Sequence, residues 1–155
     1  MQKLLQTQGK LLGVDFGDKR TGLAVCDKNR LIASGIGQIS VGGMQRTAAK
    51  IAEIIKEENI TGGVVVGLPI NMDGSHGPRA EHAEKFARIL GEILAEDEAT
   101  ASLPIVMMDE RMTTMAASRY LNETDTRGQK RKQVIDTLSA QIILQNALDR
   151  LKNMA

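Results

Sequence analysis

The chain has 155 residues, 42% of them hydrophobic and 25% charged, with a formal net charge of +1, which is typical of a single globular domain over residues 1–155. Its only cysteine, Cys26, excludes an internal disulfide framework and a cysteine-based zinc site, so the cytoplasm is the expected compartment. The segment Met1–Gln8 lacks the apolar stretch of a signal peptide, and nothing approaches the ~20 apolar residues of a membrane span, so no membrane contact is expected.

The N-terminal part of the chain predicts three consecutive strands. Lys10–Phe16 has strand character and ends at the turn Gly17–Arg20, and further strands fit Gly22–Asp27 and Ile32–Ile39. Short strands that follow one another with tight links are typical of antiparallel hairpins.

The remainder alternates helical and strand patterns. Apolar residues at helical spacing predict a helix at Met44–Glu57, and the valine-rich run Gly63–Leu68 is typical of a strand that is buried on both faces. Pro78 suits the first position of a helix that extends to about Glu96. The last three predicted elements are a strand at Leu103–Met108, a short helix at Thr113–Leu121 and a long helix at Arg131–Leu151.

The resulting order, βββαβαβαα, predicts the fold class. Three hairpin-linked strands followed by alternating helices and strands indicate an α/β protein with a mixed five-stranded sheet that is flanked by helices. Ligand sites in such sheets lie at the carboxyl ends of the strands.

Three acidic residues stand at the borders of apolar segments. Asp15 lies among glycines in Gly13–Gly17, Glu110 follows the strand that ends at Met108, and Asp136 shares a helical stripe with small residues. A carboxylate beside a core is costly unless a cation offsets it, and Mg²⁺ prefers carboxylate and phosphate oxygens. The trio therefore predicts a divalent-metal site. The alternatives are an incidental Asp in a turn, an acid that complements a helix dipole, and a solvated helical Asp.

Basic residues lie beside these acids and predict contact with phosphate groups. Lys19 and Arg20 follow Asp15, and Arg111 follows Glu110. A further basic cluster precedes Asp136 and consists of Lys130, Arg131 and Lys132. The chain has two phenylalanines, one tyrosine and no tryptophan, so recognition through backbone charge and shape is expected rather than base stacking on aromatic rings.

The loop that precedes Pro78 is too rich in polar and turn residues to be only a connector. Asn71 and Arg79 flank its glycines, and backbone amides near a helix N-terminus favour phosphate. Both residues are therefore candidates for nucleic-acid binding.

These motifs resemble those of a known family. The segments 13–25, 64–79, 108–114 and 135–140 closely resemble the YqgF (RuvX) family of pre-16S rRNA nucleases and Holliday-junction resolvases, in the order and spacing of that family. The resemblance covers almost the whole chain. It implies a ribonuclease-H-like fold, dependence on Mg²⁺ or Mn²⁺, and endonuclease activity on structured nucleic acid such as pre-16S rRNA or branched DNA. It also implies that Asp15, Glu110 and Asp136 are the catalytic, metal-holding acids.

Two other functions are compatible with the residues. An ATPase of the actin, chaperone and sugar-kinase type also carries an Asp-x-Gly phosphate loop, but such proteins close two domains around the nucleotide and 155 residues supply one. A non-catalytic RNA-binding module for ribosome maturation would gain nothing from buried acids. The sequence therefore favours a metal-dependent nuclease, as a monomer or homodimer.

Overall fold

The computed structural model describes residues 1–109 and 128–154, with the side chains of the second segment from Thr137 onward. In chain order the elements are α1 (Gln2–Leu5), β1 (Lys10–Asp15), β2 (Thr21–Cys26), β3 (Ala33–Ile39), α2 (Met44–Glu57), β4 (Ile60–Leu68), α3 (Pro78–Ala95), β5 (Ile105–Asp109) and α4 (Gly128–Met154). The predicted succession of strands and long helices is confirmed, with most bounds shifted by one to three residues. The predicted helix Thr113–Leu121 lies outside the described residues, and α1 is an element that the sequence did not predict.

The five strands form one mixed sheet in the order β3-β2-β1-β4-β5. β2 is antiparallel to β1 and β3, as expected for hairpins, whereas β4 is parallel to both β1 and β5. Because β1, β4 and β5 run in the same direction, they end at one side of the sheet, at Asp15, Leu68 and Asp109. We call this side the carboxyl edge.

Helices cover both faces of the sheet. Leu12 and Val14 pack with residues of α2 and α3 on one face, whereas Leu11 packs with residues of α4 on the other. Because side chains alternate along a strand, Gly13 and Asp15 belong to the α4 face together with Leu11. The predicted burial of β4 on both faces is confirmed, since its valines contribute to both clusters.

Glycine allows α4 to lie close to the centre of the sheet. A Cβ at Gly13 would be 2.8 Å from the Cβ of Leu144 and 3.1 Å from the carbonyl oxygen of Ala140, closer than a side chain tolerates.

Although α4 is the longest helix described, neither it nor any other helix within residues 1–109 and 128–154 is long and apolar enough to cross a membrane.

The direction of α4 follows from its contacts with β3. The Gln145 side chain accepts a hydrogen bond from the Ala33 amide at 2.9 Å, and two residues further along β3 a Cβ at Gly35 would meet Thr137. α4 therefore runs antiparallel to β3. Since β3 and β1 both pair antiparallel with β2, α4 is antiparallel to β1 and begins at the carboxyl edge.

The opposite edge is held by the N-terminal segment and the β2–β3 turn. The Arg30 guanidinium donates hydrogen bonds to the carbonyl oxygens of Gly9 (2.8 Å) and Leu4 (2.5 Å), which ties α1 to the turn. In the same turn, the Asp27 carboxylate accepts hydrogen bonds from the amides of Leu31 and Ile32, each at 2.9 Å.

Candidate active site at the carboxyl edge

Asp15 is half-buried at the end of the central strand β1, with glycines on every described side of it within the sheet. In β2 it pairs with Gly22, and because Val14 pairs with Val66, the next position of β4, Gly67, is level with Asp15. Residues paired across strands share a face, as do residues two apart along one strand. Gly13, Gly22 and Gly67 therefore add no side chains of their own to this part of the sheet, and at Gly13 the space is taken by Ala140 and Leu144 of α4.

The end of β1 is anchored by Phe16. Its ring stacks on Phe86 of α3 with the ring centroids 4.4 Å apart, on the face opposite to Asp15. The following turn is tight, since a Cβ at Gly17 would collide with the carbonyl oxygen of Arg20. This packing holds exposed Lys19 and half-buried Arg20 at the carboxyl edge beside Asp15.

Gln38 is a residue of this site that sequence reasoning did not select. It pairs with Gly22, which in turn pairs with Asp15, so Gln38 and Asp15 share one row of the α4 face on either side of a glycine. Its Oε1 atom is buried and accepts no hydrogen bond from the part of the chain that is described. Such an atom costs about 1–3 kcal/mol unless a donor or cation satisfies it. No sequence signal marks Gln38, because its position depends on the pairing of β3 with β2.

The oxygen atoms at this edge suit a hard cation. A carboxylate oxygen of Asp15 and the amide oxygen of Gln38 are ligand types that Mg²⁺ and Mn²⁺ accept directly or through water. Within residues 1–109 and 137–154, no three His, Cys, Asp or Glu side chains come close enough together to hold a metal ion.

Asp136 belongs to the part of α4 that leads toward this edge. Its Cα is one helical turn, about 6 Å, before Ala140, which faces Gly13, and the Cα of Asp15 is about 6.6 Å beyond Gly13. Because α4 is antiparallel to β1, the step from Ala140 back to Asp136 and the step from Gly13 on to Asp15 both lead toward the carboxyl edge. The basic cluster Lys130–Lys132 lies in the first turns of α4 and thus also at the carboxyl edge.

Glu110 and Arg111 lie outside the described residues. Asp109 ends β5 and pairs with Leu68, at the carboxyl edge. Glu110 follows Asp109 directly in the sequence.

Asn71 lies in the loop 69–77, which joins β4 to α3, and Arg79 follows this loop. The Asn71 amide group donates a hydrogen bond to the Ser75 hydroxyl at 3.0 Å, so this side chain helps to build the loop. Arg79 is exposed and is the second residue of α3. A cation in the first turn opposes the helix dipole, and a bound phosphate would offset that repulsion.

Known proteins with similar sequences carry names that describe nucleases. Residues 9–150 match the sequence model of the RuvX family, whose description is Holliday junction resolvase. A protein of Bradyrhizobium sp. (strain ORS 278), named as a pre-16S rRNA nuclease, is 43% identical over 147 residues, which cover 95% of this chain and 86% of that protein. A protein of Ruminiclostridium cellulolyticum with the same name is 37% identical over 143 residues, covering 92% of this chain and 95% of that protein.

Solved structures with the same fold include RuvC. The T. thermophilus RuvC in complex with Holliday junction substrate has a TM-score of 0.57 at 15% identity, over 94% of this chain and 98% of that chain. The Thermus thermophilus RuvC structure has a TM-score of 0.53 at 14% identity, over 93% of this chain and 96% of that chain. Likeness at this level concerns the fold alone, and it confirms the ribonuclease-H-like fold that the sequence resemblance implied.

Proposed function

The chain belongs to the RuvX family and is a nuclease, and we propose that it is an endonuclease that cuts structured nucleic acid with the help of Mg²⁺ or Mn²⁺. In this proposal its substrates are the 5′ end of pre-16S rRNA, four-way DNA junctions, or both. The main support is the setting of Asp15, a half-buried carboxylate at the end of the central strand that pairs with Gly22 and lies level with Gly67.

Asp15, Glu110 and Asp136 are the residues that would hold the metal ion. Asp15 lies at the carboxyl edge, Glu110 follows the strand that ends there, and α4 carries Asp136 toward the same edge. A bound divalent ion would supply charge stabilisation to the reacting phosphate and activate water at neutral pH.

Basic residues around the edge would position the phosphates on either side of the scissile bond. Lys19, Arg20 and Arg79 lie at the carboxyl edge, and Arg111 follows Glu110. Asn71 acts in this proposal by shaping the loop 69–77, which follows β4 at the carboxyl edge. Because these groups contact phosphates and not base edges, we expect recognition of nucleic-acid shape with little base preference.

The proposal is tested by a cleavage assay on the purified chain. End-labelled pre-16S rRNA fragments and four-way DNA junctions are incubated with Mg²⁺, Mn²⁺ or EDTA, and products are separated on denaturing gels. We expect endonucleolytic cuts in at least one substrate with either metal and none in EDTA. Binding without cleavage under every condition would instead indicate the RNA-binding module, and ATP affinity would indicate the ATPase.

Loss of the basic cluster Lys130–Lys132 should weaken binding without changing sequence preference. Its three cations lie at the start of α4, where no acidic residue occupies the first turn, so bound phosphate would relieve their repulsion with the helix dipole. In the triple alanine variant, the slope of log affinity against log salt should fall by about 0.7–0.9 for each phosphate that is no longer bound. Fluorescence anisotropy at several salt concentrations measures this slope.

A matched control removes the same charge from the opposite edge. Lys3, Lys28 and Lys152 are exposed and lie in α1, in the β2–β3 turn and at the end of α4. Changing these three to alanine should leave the salt slope unchanged. An equal fall in affinity in both triple variants would show that Lys130–Lys132 act only through the net charge of the protein.

A further inference from the structure

Met72 is a mostly exposed apolar side chain in the loop 69–77. It is 66% exposed, as is Ile32, and these are the most exposed large apolar side chains of the described residues. Single exposed apolar residues are common on protein surfaces and need no explanation by themselves. Met72 differs because its loop is closed by hydrogen bonds and leaves the sheet at the carboxyl edge.

Hydrogen bonds join the residues on both sides of Met72. The Asn71 amide N–H donates to the Ser75 carbonyl at 2.9 Å, and the Gly74 N–H donates to the Asn71 carbonyl at 2.8 Å. The Asp73 carboxylate accepts hydrogen bonds from the Ser75 N–H at 2.9 Å and from the Ser75 hydroxyl at 2.6 Å. The Ser75 hydroxyl and amide hold the pKa of the Asp73 carboxyl below its usual value, so at neutral pH it stays an acceptor.

The base of the loop is also closed. A Cβ at Gly77 would lie 3.1 Å from the Nδ2 atom of Asn71, so the chain entering the loop touches the chain leaving it. Ordering such a loop costs conformational entropy, and leaving a methionine in water forgoes about 1.5–3 kcal/mol of burial free energy. The loop therefore holds Met72 outward instead of letting it fold back onto the protein.

The surroundings of the loop suit nucleic acid. β4 passes beside Asp15 at Gly67, and the loop begins two residues later, at Pro69. Arg79 and Lys19, both exposed, lie at the same edge. The two phenylalanines stack on each other in the core, so neither of these rings is offered to a base. Met72 is the most exposed large apolar side chain that the described residues present on this side of the sheet.

We propose that Met72 is a wedge that inserts against the bases of the nucleic acid and unstacks them next to the cleavage position. Methionine is unbranched and polarizable, so it can fill the gap between bases of any identity. Unstacking costs least at branch points, bulges and duplex ends. Met72 would therefore select distorted nucleic acid rather than a base sequence, and the inference rests on the proposed nuclease function.

The wedge is tested by fluorescence of 2-aminopurine, which rises when the base leaves the stack. The full chain carrying Asp15→Asn is mixed with a four-way DNA junction labelled at its branch point, and separately with an RNA stem labelled at the end of its duplex. We expect a several-fold rise with one or both probes. Adding Met72→Ala should abolish the rise and weaken binding about tenfold, equivalent to 1.4 kcal/mol.

Three further variants identify the cause. Ile32→Ala removes a side chain of equal exposure from the opposite edge and should leave the rise unchanged. Met72→Leu keeps an apolar side chain of similar size and should retain most of the rise, whereas Met72→Lys adds a phosphate-binding charge and should lose it.

A full rise with Met72→Ala, or no rise with a protein that binds and cleaves, would overturn the wedge and leave the nuclease function intact. A wild-type chain that neither binds nor cleaves either nucleic acid would overturn both. A rise with the junction alone or with the RNA alone would support the wedge and identify which nucleic acid it enters.

Discussion

Changing Asp15 to Asn should lower the cleavage rate by about a thousandfold or more, equivalent to roughly 4 kcal/mol of transition-state stabilisation. The substitution keeps the shape of the side chain at the end of β1 and removes the charge that would hold the metal ion. Binding should persist, because the phosphates would be held by basic residues around the edge and not by Asp15. Single-turnover rates at saturating Mg²⁺, together with anisotropy titrations, measure the two effects separately.

Asp18→Asn is the matched control for this experiment. Asp18 lies in the turn after β1, its side chain is 73% exposed, and its Oδ1 is 3.5 Å from Nδ1 of His82 in α3. The variant removes the same charge a few residues away and should cleave at the wild-type rate. If Asp15→Asn also cleaved near the wild-type rate, the assignment of Asp15 to the metal site would be wrong.

Asp136→Asn should abolish cleavage and also change stability in a metal-dependent way. If α4 carries this carboxylate next to Asp15, like charges repel one another when no metal is bound. Removing one charge should then raise the melting temperature in EDTA, by about 2–4 °C for each kcal/mol of repulsion relieved. The stabilisation by Mg²⁺, about 2.7 kcal/mol at a hundred times the dissociation constant, should largely disappear. Thermal melts in EDTA and in Mg²⁺, beside the cleavage rate, measure all three quantities.

Asp149→Asn provides the comparison on the same helix. Asp149 is exposed near the other end of α4, where its carboxylate accepts a hydrogen bond from Gln145 at 3.1 Å, and an asparagine oxygen can replace it. This variant should keep its activity and its response to Mg²⁺. An active Asp136→Asn protein with an unchanged melting temperature in EDTA would show that Asp136 is a solvated residue of α4. The metal site would then contain only two of the three proposed acids.

Most of the architecture could be predicted from the sequence because the relevant signals are local. Apolar residues at helical spacing predicted α2 with its bounds, and the valine run predicted a strand buried on both faces. The glycines around Asp15 and the family resemblance pointed to the end of β1 before any fold was known. Glu110, Arg111 and the predicted helix Thr113–Leu121 lie outside the described residues, and their assignments stay predictions.

Tertiary structure decided which distant residues meet at that edge. The sequence places Gly22, Gln38 and Gly67 far from one another, and only strand pairing brings them into the same row as Asp15. The direction of α4, which determines whether Asp136 approaches Asp15 or recedes from it, likewise follows from contacts with β3. A pattern within one segment reports which face is apolar, whereas register between segments is set by packing across the whole sheet.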